Sequence, residues 1–105
     1  MAVSVPLRST VRIDLESGSA AGQRRYRLSE TIELPPRLSF SGELPIEGMG
    51  RGTVHLTLPD GVVSARAKLY FDPERPNQGS QAELLDLDAD QLRLVQTYVE
   101  QRMES

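Results

Sequence analysis

The chain has 105 residues, of which 38% are hydrophobic and 5% aromatic, and its net charge is −3. This length fits one domain, with a core built mainly from Val, Leu and Ile. The sequence lacks cysteine, which excludes disulfides, thiol catalysis and Cys-ligated metal sites. A single histidine, His55, excludes a His-cluster metal site. No apolar run approaches the roughly 20 residues that span a bilayer, and the N-terminus lacks a signal-peptide core. We therefore expect a soluble cytoplasmic protein.

The charge is unevenly spread along the chain. Residues 1–28 hold five arginines against two acidic residues, for +3, whereas residues 29–105 carry −6. The negative total argues against binding of a nucleic-acid polymer. The basic first part is where an anionic partner is expected to bind.

Two long alternating runs open the chain. Period-two alternation predicts a strand over residues 4–16 and a second over residues 23–34. In the first strand the arginines Arg8 and Arg12 fall on the outward side. In the second, the apolar residues take one side and Arg25 and Arg27 the other; the apolar set is Tyr26, Leu28, Ile32 and Leu34. Glu30 interrupts that apolar side, which indicates a bulge or a strand end.

The rest of the chain predicts four shorter strands and a helix. The double proline at 35–36 ends the second strand, because proline has no N–H for a ladder. The glycine-rich stretch 43–52 is predicted to be a loop. The predicted strands are 37–41, 53–58, 62–71 and 81–87. Asp88 is a good N-cap for a helix over residues 89–103, whose apolar residues recur at helical spacing. This order predicts a mainly β fold, a small six-stranded antiparallel barrel or sandwich with one C-terminal helix.

Catalytic signals are weak. His55 falls on the outward side of its strand, where a solvated histidine is expected. The carboxylates of "DLDAD" (86–90) stand at the start of the helix, where acidic residues are favourable. No nucleophile–base pair is legible, so we predict that the protein is not an enzyme.

Three segments together resemble the PilZ domain family over most of the chain. They are "VPLRSTVRIDL", "ELPIEGMGRGTVHLTLPDGVVSARAKL" and "AELLDLDADQLRLVQTYVEQR". The resemblance implies one PilZ-like domain over 1–105, folded as a six-stranded β-barrel with a terminal helix. It also implies a non-enzymatic receptor or adaptor of bacterial motility, surface polysaccharide or biofilm control, whose usual ligand is cyclic di-GMP.

The family holds that ligand with R-x-x-x-R before the first strand and D/N-x-S-x-x-G on the following strand pair. Here Ser4 stands where the second arginine is expected, and "LSETIELPPRLSF" (28–40) lacks the second motif. We therefore predict an adaptor of cyclic-di-GMP-related pathways that acts by protein–protein contact and has lost the usual nucleotide site. The alternative is a cyclic-di-GMP receptor with a non-standard arginine site.

The candidate patch for an anion, a nucleotide or a partner consists of Arg8, Arg12, Arg25 and Arg27. Arg8 and Arg12 would lie about 13 Å apart on an extended strand, which suits two phosphates rather than one. Another bacterial protein is the expected partner. No cofactor besides cyclic di-GMP, no metal and no membrane insertion are expected. Pairing of two copies through the helix is left open.

Overall fold

The computed structural model describes residues 3–16, 22–46 and 48–103. Within them the chain forms seven β-strands, a short 3₁₀ turn at Pro76–Gln78 and one α-helix. The strands are β1 (Val3–Pro6), β2 (Thr10–Leu15), β3 (Arg24–Leu34), β4 (Arg37–Phe40), β5 (Gly48–Leu58), β6 (Gly61–Phe71) and β7 (Ser80–Leu84), and the helix is α1 (Ala89–Met103).

Six of the strands close into a barrel. Every described pairing is antiparallel, in the order β3–β2–β5–β6–β7–β4, and β4 pairs back onto β3. The seventh strand, β1, adds to β3. The predicted mainly β fold, a six-stranded antiparallel barrel with one C-terminal helix, is confirmed.

The predicted strand 4–16 is divided into β1 and β2, which corrects the prediction. Both pieces pair with the same edge of β3, β1 along residues 31–34 and β2 along residues 24–28. The fully buried Ser29 holds the break between them. Its Oγ lies 2.8 Å from the carbonyl oxygen of Ser9 and 3.0 Å from that of Leu7, and it accepts the Ser9 N–H at 3.0 Å.

The pairing of β3 with β4 shifts between Ser29 and Thr31. Glu30 is the extra residue of this β-bulge, at the position where the sequence indicated a bulge or a strand end. A one-residue insertion moves the following side chains to the other face of the sheet. Ile32 therefore lies opposite the buried Leu38, whereas Tyr26 and Leu28, which the sequence placed beside it, are 54% and 42% exposed.

The second half of the glycine-rich stretch, residues 48–52, is strand, which corrects the predicted loop 43–52. β5 begins at Gly48 and pairs with β6 along its whole length. Gly50 and Gly52 face the interior. A Cβ at Gly50 would lie 2.8 Å from Ile46 Cγ2, and one at Gly52 would lie 2.7 Å from the Asp14 carbonyl oxygen. Glycine is needed here because neighbouring groups approach the backbone closely.

Smaller corrections concern the last strands. The strand predicted over 37–41 ends at Phe40, and the one predicted over 62–71 begins at Gly61. The strand predicted over 81–87 ends at Leu84, because Asp86 turns the backbone with a φ of 53°. The predicted helix 89–103 is confirmed, and Asp88 caps it by accepting the Gln91 N–H at 2.8 Å.

Helix α1 covers a gap in the barrel wall. β6 pairs with β7 only through residues 67–71, and β1 pairs only with β3. The helix bridges these two edges. Tyr98 donates to the Pro6 carbonyl at 3.2 Å, and the Gln91 amide donates to the Ser64 carbonyl at 3.0 Å. Val95 and Val99 are fully buried between them. None of the helical segments in the described residues has the length and apolar character needed to cross a membrane.

Candidate functional site

The four arginines of the predicted patch do not share one face. Arg12 lies opposite Tyr26, whereas Arg25 lies opposite Ile13. Directly opposed residues of a strand pair point to the same side of the sheet. Because Ile13 is fully buried, Arg25 projects from the inner side of the sheet and Arg12 from the outer side. The expectation that Arg25 and Arg27 join Arg12 is corrected, and the cause is the bulge in β3.

Arg27 is used to hold a loop. It lies opposite the buried Val11, on the inner side. Its Nε donates to the Glu43 carbonyl at 2.9 Å, its Nη2 donates to the same oxygen, and its Nη1 donates to the Tyr26 carbonyl at 2.8 Å. The loop that carries Glu43 also places Leu44 in the core. These contacts give Arg27 a structural role.

Arg25 and Arg8 are placed separately. Arg25 Nη2 donates to the Gln23 side chain at 2.6 Å. Arg8 is exposed in the break between β1 and β2. It borders a groove of about 300 Å³ whose other lining residues are Pro6, Leu28, Ser29, Glu30 and Ser41.

Four strands present one continuous outward surface, which we call the outer sheet face. It consists of the outward positions of β2, β5, β6 and residues 24–28 of β3. The side chains used below are Arg12, Asp14, Arg24, Tyr26, Leu28, Arg51, Thr53, His55, Val62, Ser64, Arg66 and Lys68. Arg12 is the only residue of the predicted patch on these paired positions, and Arg8 lies at their margin.

A polar cluster occupies the centre of the outer sheet face. Asp14 Oδ2 lies 3.2 Å from Arg12 Nη2 and 3.0 Å from His55 Nε2, and Asp14 Oδ1 lies 3.7 Å from Arg24 Nε. His55 Nδ1 lies 2.8 Å from Ser64 Oγ. The pairing register causes this convergence, because His55 is opposite both Arg12 and Ser64.

The hydrogen bonds of His55 admit more than one proton arrangement. Its Nε2 lies 3.0 Å from Arg12 Nη2, which only donates, and 3.0 Å from Asp14 Oδ2, which as a carboxylate only accepts. A proton on Nε2 serves Asp14 and leaves Nδ1 to accept from Ser64. A proton on Nδ1 serves Ser64 and leaves Nε2 to accept from Arg12. In either arrangement Arg12 keeps its own bond to Asp14 at 3.2 Å.

The hydrogen-bonded series Ser64–His55–Asp14 has the residue types of a hydrolytic triad, but its surroundings differ from those of a triad. A triad aspartate holds the histidine in one tautomer and the site supplies donors for an oxyanion. Here Arg12 competes with Asp14 for the same ring nitrogen, and the Asp14 side chain is 37% exposed on the outside of a barrel. The chemistry that this cluster supports is the fixing of Arg12 at a partly exposed surface.

Large apolar side chains flank the polar cluster. Tyr26 and Leu28 are 54% and 42% exposed on β3, and Val62 is 58% exposed on β6. Their exposure is unusual because alternation in β3 predicts that Tyr26 and Leu28 are buried. Neither the polar cluster nor the exposure of these apolar side chains was predicted from the sequence. The outward positions of Arg12 and His55 were legible as alternation, but the register that joins them to Asp14 and Ser64 was not.

Among residues 3–16, 22–46 and 48–103, no group of three or more His, Asp or Glu side chains is arranged to hold a metal ion. No protein-family profile, curated protein or solved structure matches the chain. The assignment of function therefore depends on the outer sheet face itself and on the sequence resemblance described above.

Proposed function

We propose that the protein is a PilZ-like, non-enzymatic signalling adaptor of bacterial motility, surface-polysaccharide or cyclic-di-GMP pathways. In this proposal it works in the cytoplasm by binding another protein through its outer sheet face. The observation that carries the protein-contact part is the exposure of Tyr26 and Leu28 beside Arg12. The PilZ-like role and the pathways rest on the sequence resemblance.

The composition of this surface supports protein contact. Interfaces are enriched in Tyr and Arg, and their strongest contributors are these residues in packed, desolvated positions. Arg12 is already oriented by Asp14 and lies 3.0 Å from His55. A side chain that is ordered before binding loses less conformational entropy when a partner arrives. The outer sheet face thus combines apolar area with a pre-positioned cation.

The loss of the usual nucleotide site is supported by the segment of this chain that comes nearest to the second motif, D/N-x-S-x-x-G. Residues 27–32 read "RLSETI", which keeps a central serine, Ser29, within the spacing D/N-x-S-x-x-G. Arg27 stands in the place of the short acceptor and bonds the Glu43 carbonyl, and Ile32 stands in the place of the glycine. Because Ile32 is fully buried in the core, its backbone is not open to a guanine.

Calorimetry of the full chain with cyclic di-GMP tests the nucleotide part of the proposal. We expect no heat of binding up to high micromolar nucleotide. Binding at micromolar concentration that disappears in Arg8→Ala or Arg12→Ala would overturn the proposal and establish the alternative, a receptor with a non-standard arginine site.

Site-specific photo-crosslinking tests the protein-contact part. A photoreactive amino acid at position 26 or 28 of the full chain, expressed in bacterial cells, should capture the same partner protein. The matched control is position 75, an exposed residue outside the outer sheet face. Equal capture at position 75, or capture at none of the positions, would contradict the proposal.

A further inference from the structure

We propose that the outer sheet face recognises an acidic segment of the partner protein, in which carboxylate side chains accompany apolar ones. This inference rests on the proposed function for the existence of a protein partner, and it adds the chemistry of that partner. The inference depends on how charged residues are distributed over the barrel.

The barrel brings basic residues from different parts of the chain to one face. The outer sheet face and its margin hold six basic residues, which are Arg8, Arg12, Arg24, Arg51, Arg66 and Lys68. They stand against four acidic residues, which are Asp14, Glu16, Glu30 beside Arg8 and Asp86 beside Arg66 and Lys68. Glu16 reaches this surface by accepting a hydrogen bond from Thr53 at 3.1 Å. The face and its margin therefore carry +2, so the rest of the chain carries −5 for the total of −3.

The basic residues of β5 and β6 make the second half of this surface. Arg51 lies directly opposite Lys68, and Thr53 lies opposite Arg66. On its other side Lys68 lies opposite Glu83 of β7, so one carboxylate of the barrel already faces this basic group. Arg51, Arg66 and Lys68 also border a hollow of about 170 Å³ beside Gly52, at whose rim Glu16 and Asp86 stand. A carboxylate side chain is of a size to enter this hollow.

The surroundings favour an acidic protein segment over a nucleic acid. Binding of single strands uses several exposed aromatic side chains as stacking platforms. On the outward positions of β2, β3, β5 and β6, Tyr26 is the one aromatic residue among the large exposed hydrophobic side chains, and the others are Leu28, Met49 and Val62. Tyr70, opposite Met49, is only partly exposed and donates to Glu83 at 3.3 Å. The rest of the chain is net negative, at −5, which also opposes the long-range attraction of a polyanion. Short acidic segments with apolar residues match both features.

Asp14 acts as an internal competitor in this arrangement. Its carboxylate already faces Arg12, Arg24 and His55. An incoming carboxylate must share Arg12 and Arg24 with it. Replacing Asp14 by the isosteric asparagine therefore adds one positive charge to the face and should strengthen binding of an acidic probe.

The test is a fluorescence-anisotropy titration of the folded full chain with a labelled peptide of alternating Glu and Leu. Oligo(dT) and anionic lipid vesicles serve as competing probes. We expect saturable peptide binding that weakens as salt rises. The double variant Arg66→Glu/Lys68→Glu should weaken it by about tenfold or more, and Asp14→Asn should tighten it by about threefold.

The matched control is Arg75→Glu/Arg93→Glu, which makes the same change in net charge at exposed positions elsewhere. We expect its affinity for the peptide to stay within about twofold of the unmodified protein. An equal loss in this control would overturn the inference, because binding would then follow net charge alone. Absence of peptide binding, or tighter binding of oligo(dT) or vesicles through Arg66 and Lys68, would overturn it too.

The two proposals fail separately. If crosslinking at position 26 captures a partner whose binding is unchanged by Arg66→Glu/Lys68→Glu, the adaptor function stands and the acidic-segment inference is wrong. If the acidic peptide binds as expected but no partner is captured at position 26, the adaptor function fails, while the chemistry assigned to the face stands.

Discussion

The two halves of β3, before and after the bulge, have opposite patterns of inward and outward side chains. Before the bulge, Arg25 and Arg27 point inward, and the apolar Tyr26 and Leu28 are exposed. After the bulge, Ile32 packs into the core opposite Leu38. The apolar residues on the two sides of the bulge thus have different roles, since Ile32 stabilises the fold and Tyr26 and Leu28 are available for contact.

This difference shows that one inserted residue can place part of a strand's apolar side in the core and the other part on the surface. The apolar residues at 26, 28, 32 and 34 all fall on one side of a period-two pattern, interrupted only by Glu30. The extra residue at Glu30 changes which side the later positions occupy. The arginines follow the same rule, which is why Arg27 anchors an inner loop instead of joining Arg12 at the surface.

The largest effect should come from a matched pair of truncations on either side of the bulge. Ile32→Ala removes a fully buried side chain and should lower the free energy of unfolding by about 2–5 kcal/mol. Leu28→Ala, on the same predicted stripe, should change it by less than about 0.5 kcal/mol because Leu28 is 42% exposed. Chemical denaturation measures both. Equal losses in the two variants would mean that both halves of β3 face the core.

The next effect concerns the residue that holds the bulge and the strand break together. Ser29→Ala removes the acceptor of the Ser9 N–H and the donor to the carbonyls of the break. The loss should be about 1–3 kcal/mol, since buried polar groups are left unpaired. Ser4→Ala, at an exposed position of β1, is the control and should be nearly neutral. A neutral Ser29→Ala would refute the role given to this hydroxyl.

The smallest effect separates the inward from the outward arginines. Arg27→Met removes three hydrogen bonds to backbone carbonyls and should cost about 1 kcal/mol of stability. Arg24→Met removes one exposed contact to Asp14, at 3.7 Å, and should change stability by less than about 0.5 kcal/mol. Thermal unfolding of the two variants makes the comparison, and the reverse order of stability would contradict it.

Sequence reasoning captured the parts of the fold that depend on local chemistry. The helix 89–103, its Asp88 cap and the barrel built from alternating strands needed only periodicity and capping rules. The site was captured less well. Arg12 alone lies outward on the paired positions as predicted, and its neighbour there is Tyr26 instead of Arg25 or Arg27. The cluster joins His55 to Asp14, 41 residues away in the sequence, and to Ser64, 9 residues away. The register between such strands is fixed by tertiary pairing, and the alternation within one strand does not specify it.

The most direct test of this account uses the absence of native cysteine. Single variants Tyr26→Cys, Leu28→Cys and Ile32→Cys can each be labelled with a maleimide under native conditions, with the unfolded chain as reference. We predict that the thiols at 26 and 28 react at rates near that of the unfolded chain, and that the thiol at 32 reacts orders of magnitude more slowly. Protection at 26 and 28 equal to that at 32 would contradict the outer sheet face and both proposals built on it.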